Sequence, residues 1–252
     1  MMPDPFLQWL GALEGRHFAA LNFQEVRRAV QALSALYVER RNRIEQGCVF
    51  DGAGKRAAFA TYFAPLHFLL VREIVRALDA ANVLTSDILD LGCGTGIAGA
   101  AWALEMNPLP GITGIDRNSW AVREAKWTYG AFHLRSAVRS EDLATFKIGK
   151  GIAVIAAFTM NELSDEMRAR MLRELLAAAR LGAPVLVIEP IARSVASWWP
   201  VWAREWIAAG GRDDEWRFPV QLPEALALMD KAAGLDHREL TGRSLWIPAK
   251  KT

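Results

Sequence analysis

The residues with the clearest chemical meaning form a short glycine-rich segment, Asp90 to Gly96, which reads Asp-Leu-Gly-Cys-Gly-Thr-Gly. An apolar run precedes it and an alanine-rich run, Ala98 to Met106, follows it, so the pattern predicts a buried strand, a tight turn and a helix. Such a turn places backbone N–H groups and the positive end of a helix dipole around a bound ligand. The carboxylate at the head of the segment indicates a ligand other than a simple phosphate.

Two kinds of cofactor-binding turn fit these glycines. Gly94 to Gly99 has the G-x-G-x-x-G spacing of dinucleotide-binding proteins. Asp90 to Gly96 resembles the first motif of class I S-adenosylmethionine-dependent methyltransferases, D/E-x-G-x-G-x-G. The second resemblance accounts for Asp90, because a carboxylate would repel a pyrophosphate but could orient the charged amino-acid end of S-adenosylmethionine. It also uses the whole set of Gly92, Gly94 and Gly96.

Further acidic residues follow the next two predicted strands. Asp116 lies 20 residues after Gly96, at a strand end where a carboxylate can accept hydrogen bonds from both ribose hydroxyls. Because NAD and S-adenosylmethionine both carry that ribose, Asp116 does not separate the two interpretations. The methyltransferase resemblance implies in addition that Asp142 contacts the adenine amino group, with Leu143 beside it.

The chemistry of methyl transfer would lie at the end of the fourth predicted strand. Asn161 and Glu162 are polar residues there, and we predict them as catalytic residues facing the cofactor or the substrate, with helix capping before Ser164 as the alternative. Families that methylate exocyclic amines of bases or glutamine amides often have an Asn/Asp-Pro-Pro-aromatic motif here, and this segment lacks it. Glu189, at the end of the fifth strand, could reach the same crevice or form an ion pair. The sequence does not identify the methyl acceptor.

Short apolar runs alternate with amphipathic helices from Asp87 onward, which is typical of an α/β protein with a parallel sheet. The methyltransferase resemblance implies a Rossmann-like, mostly parallel seven-stranded sheet with helices on both faces, preceded by an N-terminal helical cap. The predicted domains are the cap at 1–84 and the methyltransferase domain at 85–252, with a Trp-rich helical insertion at about 193–218. The predicted strands are Asp87–Leu91, Ile112–Asp116, His133–Val138, Ile152–Phe158 and Val185–Ile188, followed by an antiparallel hairpin of His237–Leu240 and Ser244–Ile247.

Composition and charge limit the kinds of partner that we expect for this chain. The formal charge of +2 gives no strong field for nucleic acid, although a local patch could still bind RNA. Two cysteines and four scattered histidines show no metal-ligand spacing, so we expect no metal. The apolar run Ala57 to Val71 is shorter than the roughly 20 residues that span a bilayer, and no signal pattern precedes it, so we expect no membrane and a cytoplasmic protein.

A narrower resemblance rests on two segments, Ala60–His67 and Phe158–Glu166. Both are similar to methyltransferase-like proteins associated with assembly of the mitochondrial small ribosomal subunit and to their bacterial relatives. This resemblance implies an RNA or ribosomal partner, but the chain lacks the cysteine cluster that those proteins use for a metal centre. Tyr62 and His67 in the first segment could roof the cofactor or simply pack.

The leading hypothesis is therefore an S-adenosylmethionine-dependent methyltransferase that acts on an unidentified small-molecule or RNA acceptor, its oligomeric state open. A non-catalytic S-adenosylmethionine-binding ribosome assembly factor is the first alternative, and an NAD-dependent oxidoreductase is the second. The aromatic face of Trp198, Trp202 and Trp206 could stack a planar substrate, but core packing of the inserted helix is favoured.

Overall fold

The computed structural model describes residues 4–18, 21–39, 52–83, 85–149, 151–192 and 196–249. The chain divides into two compact units. The helical unit comprises residues 1–67 and 219–240, and the sheet unit comprises residues 68–218 and 241–252. The division predicted from the sequence, at residue 84, stays a prediction.

Seven strands form one sheet, in the order β3-β2-β1-β4-β5-β7-β6. Neighbouring pairs among β1 to β5 run parallel, and β7 pairs antiparallel with β5. The predicted α/β class with a Rossmann-like, mostly parallel seven-stranded sheet is confirmed. The strands are β1 (Asp87–Leu91), β2 (Gly111–Asp116), β3 (Ser136–Ser140), β4 (Ala153–Ala157), β5 (Val185–Glu189), β6 (Arg212–Pro219) and β7 (Glu239–Ile247).

Helices join these strands in the sheet unit. Asn118 and Ser164 cap their helices as side-chain acceptors, which confirms the predicted starts. β4 is buried along its whole length, as the apolar run predicts for a central strand. The helices are α5 (Ile97–Ala103), α6 (Ser119–Ala131), α7 (Asp165–Arg180) and α8 (Trp199–Ala208), with a 3-10 turn at Met160–Glu162.

The predicted terminal hairpin is wrong. Thr241 and Gly242 lie inside one continuous strand, β7, instead of in a turn. A Cβ on Gly242 would stand 3.0 Å from a methyl carbon of Leu70, so the glycine permits close packing and does not mark a bend. The strand beside β7 is β6, which lies within the insertion that we predicted as helical. The third strand also begins later than predicted, at Ser136 instead of His133.

The tryptophans of α8 belong to the core of the sheet unit. Trp199, Trp202 and Trp206 are buried, and the rings of Trp202 and Trp206 stack with their centroids 5.8 Å apart. Core packing, which the sequence favoured for this face, is what the structure shows. Trp198 differs, because it is only half-buried.

The helical unit contains α1 (Pro5–His17), α2 (Phe23–Glu39) and α9 (Glu224–Ala232). It also holds the start of a continuous helix made of α3 (Ala53–Ala58), a π-helical turn (Phe59–Phe63) and α4 (Ala64–Ala77). The π turn ends just before Pro65, whose ring would collide with the carbonyl four residues earlier in a regular helix. The helix therefore accommodates Pro65 through a widened turn. Pro223 is the N-cap of α9.

The continuous helix at Ala53–Ala77 is long and apolar enough to cross a membrane, and within the described ranges it alone meets that test. Its apolar window is 72% buried inside the protein, as in the core helix of a folded domain. The apolar stretch is thus longer than the run that we identified in the sequence.

A buried hydrogen-bonded cluster ties the helical unit together. The Tyr62 hydroxyl donates to Oδ1 of Asp230. The backbone N–H of His237 donates to Oδ2 of the same carboxylate at 2.9 Å, and Nδ1 of His237 lies 2.6 Å from Oδ1. Burial alone would raise the pKa of Asp230, but these hydrogen bonds outweigh it and hold that pKa below its ordinary value.

We expect Asp230→Asn to lower the free energy of unfolding by about 2 kcal/mol, because an amide replaces one of two acceptor oxygens in a charge-assisted cluster. Since the pKa of Asp230 is lowered, its contribution is present at neutral pH and disappears as the pH falls through the lowered value. Urea unfolding at several pH values measures this. Asp236→Asn is the matched control, because that carboxylate is exposed and pairs only with exposed Arg238. Equal losses for the two variants at pH 7 would contradict the prediction.

Candidate functional site

The glycine-rich turn connects β1 to α5 within the sheet unit. Gly92, Gly94 and Gly96 all have positive φ, at +64°, +52° and +83°. A Cβ on Gly92 would lie 2.3 Å from a methyl carbon of Thr159, so packing against the end of β4 requires that glycine. A Cβ on Gly94 would meet no protein atom within 4 Å. The space beside Gly94 is therefore open to a ligand that approaches the backbone closely.

Asp90 fixes the base of this turn. It is buried, and its Oδ2 accepts from the Gly99 backbone N–H at 2.8 Å and from the Tyr129 hydroxyl at 3.0 Å. Its Oδ1 is also buried but has no hydrogen-bond partner, and the same holds for the Thr95 hydroxyl. Burial raises the pKa of Asp90 to about 6, against the two hydrogen bonds that lower it. Two buried polar atoms without partners are unusual in a folded protein, and they mark this turn as a candidate site for a polar ligand group.

Asp116 lies beside the turn at the end of β2. Its Oδ2 accepts from the Gly94 N–H at 2.9 Å, and its Oδ1 accepts from the Asn118 N–H at 2.7 Å. Each carboxylate oxygen can accept a second hydrogen bond, so both remain able to bind a diol. Burial raises the pKa of Asp116, opposed by these hydrogen bonds and by the charge of Arg117.

The segment after β3 runs next to Asp116. The Glu141 N–H donates to the carbonyl oxygen of Asp116 at 3.2 Å, which places the following residues near the β2 end. Asp142 is exposed, and its Oδ1 caps the turn by accepting from the Ala144 N–H at 2.8 Å. Leu143 is buried in the core of the sheet unit. Their predicted contact with adenine stays a prediction.

Glu162 occupies the turn after β4. Its side chain is exposed, yet desolvation by the surrounding protein and the negative charge of Asp116 raise its pKa to about 7, against the lowering effect of Arg117. A carboxyl group with a pKa near neutrality suits general-base chemistry.

Asn161 is engaged on every side. Its Nδ2 donates to Oε2 of Glu189 at 2.7 Å and its backbone N–H donates to Oε1 at 3.2 Å. Its Oδ1 accepts from the indole N–H of Trp198 at 2.9 Å. Helix capping falls to Ser164, which accepts from the Met167 N–H. Asn161 therefore connects two neighbouring side chains, and its predicted catalytic role stays a prediction.

Three residues of the site were not assigned these roles from the sequence. Tyr129 and Thr159 lack any local signal, since one lies on a helix face and the other in a loop. Glu189 was considered, but its partner was not foreseen. Each acts through a contact that only the tertiary fold creates.

Two further residues considered from the sequence belong to the helical unit. Tyr62 donates a hydrogen bond to Asp230 there. His67 belongs to the same unit, and burial lowers its pKa to about 4. Its ring contacts Phe59 edge-on. Across the described segments, no group of three or more His, Cys, Asp or Glu side chains could hold a metal ion.

Comparison with known proteins bears on this site. Residues 88–182, from β1 to the end of α7, match a family model described as "Methyltransferase domain". A search of curated proteins finds no match. The family match confirms the prediction of a methyltransferase, an enzyme, in the part of the chain that holds the glycine turn and Glu162.

Solved structures are similar to the chain at low sequence identity. The plantazolicin methyltransferase BpumL in complex with SAH has 12% identity and a TM-score of 0.51, covering 89% of this chain and 96% of that chain. Magnesium protoporphyrin IX methyltransferase (ChlM) from Synechocystis PCC 6803 with bound SAM has 17% identity and a TM-score of 0.48, covering 90% and 97%. A SAM-dependent methyltransferase from Aquifex aeolicus has 19% identity and a TM-score of 0.47, covering 71% and 92%.

The likeness to BpumL concerns the fold, which it confirms as that of a class I methyltransferase. Neither the family match nor the similar structures support the narrower resemblance to proteins of ribosomal subunit assembly.

We expect Gly92→Ala to destabilise the protein more than Gly94→Ala. Both variants carry the cost of a side chain at positive φ, about 1–2 kcal/mol, but only the Cβ at position 92 collides with Thr159. Urea unfolding measures the free energy of unfolding of both variants. In a Thr159→Ala background the extra cost at Gly92 should shrink, because the two colliding atoms are gone. Equal losses for the two glycine variants would mean that the turn packs differently.

Proposed function

We propose that this chain, whose residues 88–182 form a methyltransferase domain, moves a methyl group from S-adenosylmethionine to a protic acceptor. In this proposal Glu162 removes the proton of the acceptor. The observation that carries the cofactor assignment is the buried, unpartnered Oδ1 of Asp90 beside the open space at Gly94. An ammonium group supplies the donor that this oxygen lacks.

The residues present fit S-adenosylmethionine. Asp90 and the Thr95 hydroxyl would hold the charged amino-acid end, and Asp116 would hold the ribose through its two oxygens. Asp142 would meet the adenine amino group, with Leu143 beside it. The structural neighbours BpumL and ChlM, which carry SAH and SAM, support the same choice of cofactor.

The NAD alternative fits less well. A pyrophosphate at the turn would place negative charge against Asp90 and Asp116, whose pKa values burial already raises. No feature of the site favours a non-catalytic ribosomal role. The cytoplasmic location and the absence of a membrane partner remain part of this proposal.

When bound, the cofactor supplies a methyl group on a positively charged sulfur, which needs no further activation by the protein. The chain's task is then to align the acceptor and to exclude water. Glu162 takes the proton from an attacking hydroxyl or amine. Its pKa of about 7 makes it a base at neutral pH that is strong enough to assist. The acceptor class is therefore a protic oxygen or nitrogen nucleophile, on a small molecule or on RNA.

Cofactor binding can be tested without knowing the acceptor. We expect Asp116→Ala to weaken S-adenosylhomocysteine binding by about 1–3 kcal/mol through lost charge-assisted hydrogen bonds. Gly94→Val should weaken it more, because its side chain fills the open space. Isothermal calorimetry measures both. Gly130→Val is the control, because that exposed helical glycine also has no protein atom near its Cβ. If Gly94→Val leaves the affinity for S-adenosylhomocysteine unchanged, the cofactor binds at another place.

The base can be tested once a labelled methyl donor reveals an acceptor among small molecules and RNA. We expect the rate to rise with pH through about 7 as Glu162 loses its proton. Glu162→Gln should lower the rate 10²–10⁴-fold, in the range typical of a lost general base, and should remove that rise. Its cofactor affinity should be retained. A variant with the wild-type pH profile would rule out Glu162 as the base.

A further inference from the structure

Glu189 is the most deeply buried carboxyl group near the proposed active site. It lies at the end of β5 with no solvent-exposed surface. Both of its oxygens accept hydrogen bonds from the same residue, Asn161, one from the backbone and one from the side chain. A buried acid bound in this two-point manner fixes its partner in one orientation.

The fixed residue then orients two others. The Oδ1 of Asn161 receives the indole N–H of Trp198, which is half-buried at the start of α8. Glu162 follows Asn161 directly in the same 3-10 turn. The arrangement of β5, the 3-10 turn and α8 at this edge thus depends on a chain of contacts from Glu189 through Asn161 to Trp198.

We propose that Glu189 is a positioning residue for methyl transfer, which holds Asn161 and Trp198 in place beside Glu162. Its role as support for a base rests on the proposed function. The contact chain itself is independent of any cofactor or acceptor.

The charged groups around Glu189 come from the neighbouring elements. Burial and the charge of Glu162 raise the pKa of Glu189 to about 8, while the hydrogen bonds from Asn161 and Met160 and the charge of Arg243 oppose the rise. The guanidinium of Arg243 donates to the carbonyl oxygens of residues 190–192. It also lies over the Trp199 ring, 4.7 Å from the centroid.

On the side of Glu162 the facing charges are Asp116 and Arg117, at the end of β2. Two acids whose charges interact lose their protons in two coupled steps. Glu162 ionises first in this pair, because it is open to solvent and Glu189 is not.

The indole N–H of Trp198 is a spectroscopic probe of this chain. In protein labelled with ¹⁵N at the Trp indoles, its resonance is assigned by comparison with Trp198→Phe. We expect that resonance to shift with pH in a step near pH 8, as Glu189 ionises and its bonds to Asn161 strengthen. Glu189→Gln should abolish the step. Glu162→Gln should move its midpoint down by about one pH unit, because the neighbouring charge is removed.

Controls separate this chain from general effects. Glu205→Gln removes an exposed carboxylate of α8 and should leave the step unchanged. If Glu189→Gln does not fold, Asn161→Ser cuts the same chain and should also abolish the step. A step that persists in these variants, or a midpoint that Glu162→Gln leaves in place, would overturn the proposal.

The two proposals fail in different experiments. Loss of cofactor binding in calorimetry would remove the methyltransferase mechanism but leave the coupled titration. With an acceptor in hand, Glu189→Gln should lower kcat and shift the pH profile while KM for the cofactor stays near the wild-type value. A change in KM alone would show that Glu189 supports binding and not the base.

Discussion

The hydrogen bonds of Asp90 hold the site together. One carboxylate oxygen at the end of β1 receives the N–H of Gly99 in α5 and the hydroxyl of Tyr129 in α6, and so joins a strand to both flanking helices. The glycine turn between β1 and α5 has its shape because both of its ends are fixed in this way. The other oxygen of the same group is left for a ligand, so one side chain serves the fold and the proposed cofactor together.

Local patterns in the sequence predicted the parts of the fold that depend on neighbours along the chain. The apolar runs of β1, β2, β4 and β5, the glycine turn and the caps at Asn118 and Ser164 were all legible, because each signal lies within a few residues. The number of strands and the type of domain were predicted from the resemblance to methyltransferases. Asp90, Asp116 and Glu162 were placed at strand ends before any contact was known.

The parts that could not be predicted depend on distant partners. Tyr129 and Asp90 are 39 residues apart, and Asn161 and Glu189 are 28 apart, so no spacing rule links them. β6 was missed because most of its residues are charged and none is fully buried, so that its short apolar alternation, Trp216 and Phe218, was read as part of a helical insertion. The glycine inside β7 looked like a turn, because its real cause is the Leu70 side chain from another element.

Four acids end on one edge of the sheet: Asp90 on β1, Asp116 on β2, Glu162 after β4 and Glu189 on β5. Burial raises the pKa of each, and successive members also repel one another. A ligand with a positive charge would reduce the electrostatic repulsion among these four carboxyl groups, a relief that the fold alone does not give. A neutral spent cofactor would give less of that relief, so the same four acids would favour the cationic form of the cofactor over the neutral one.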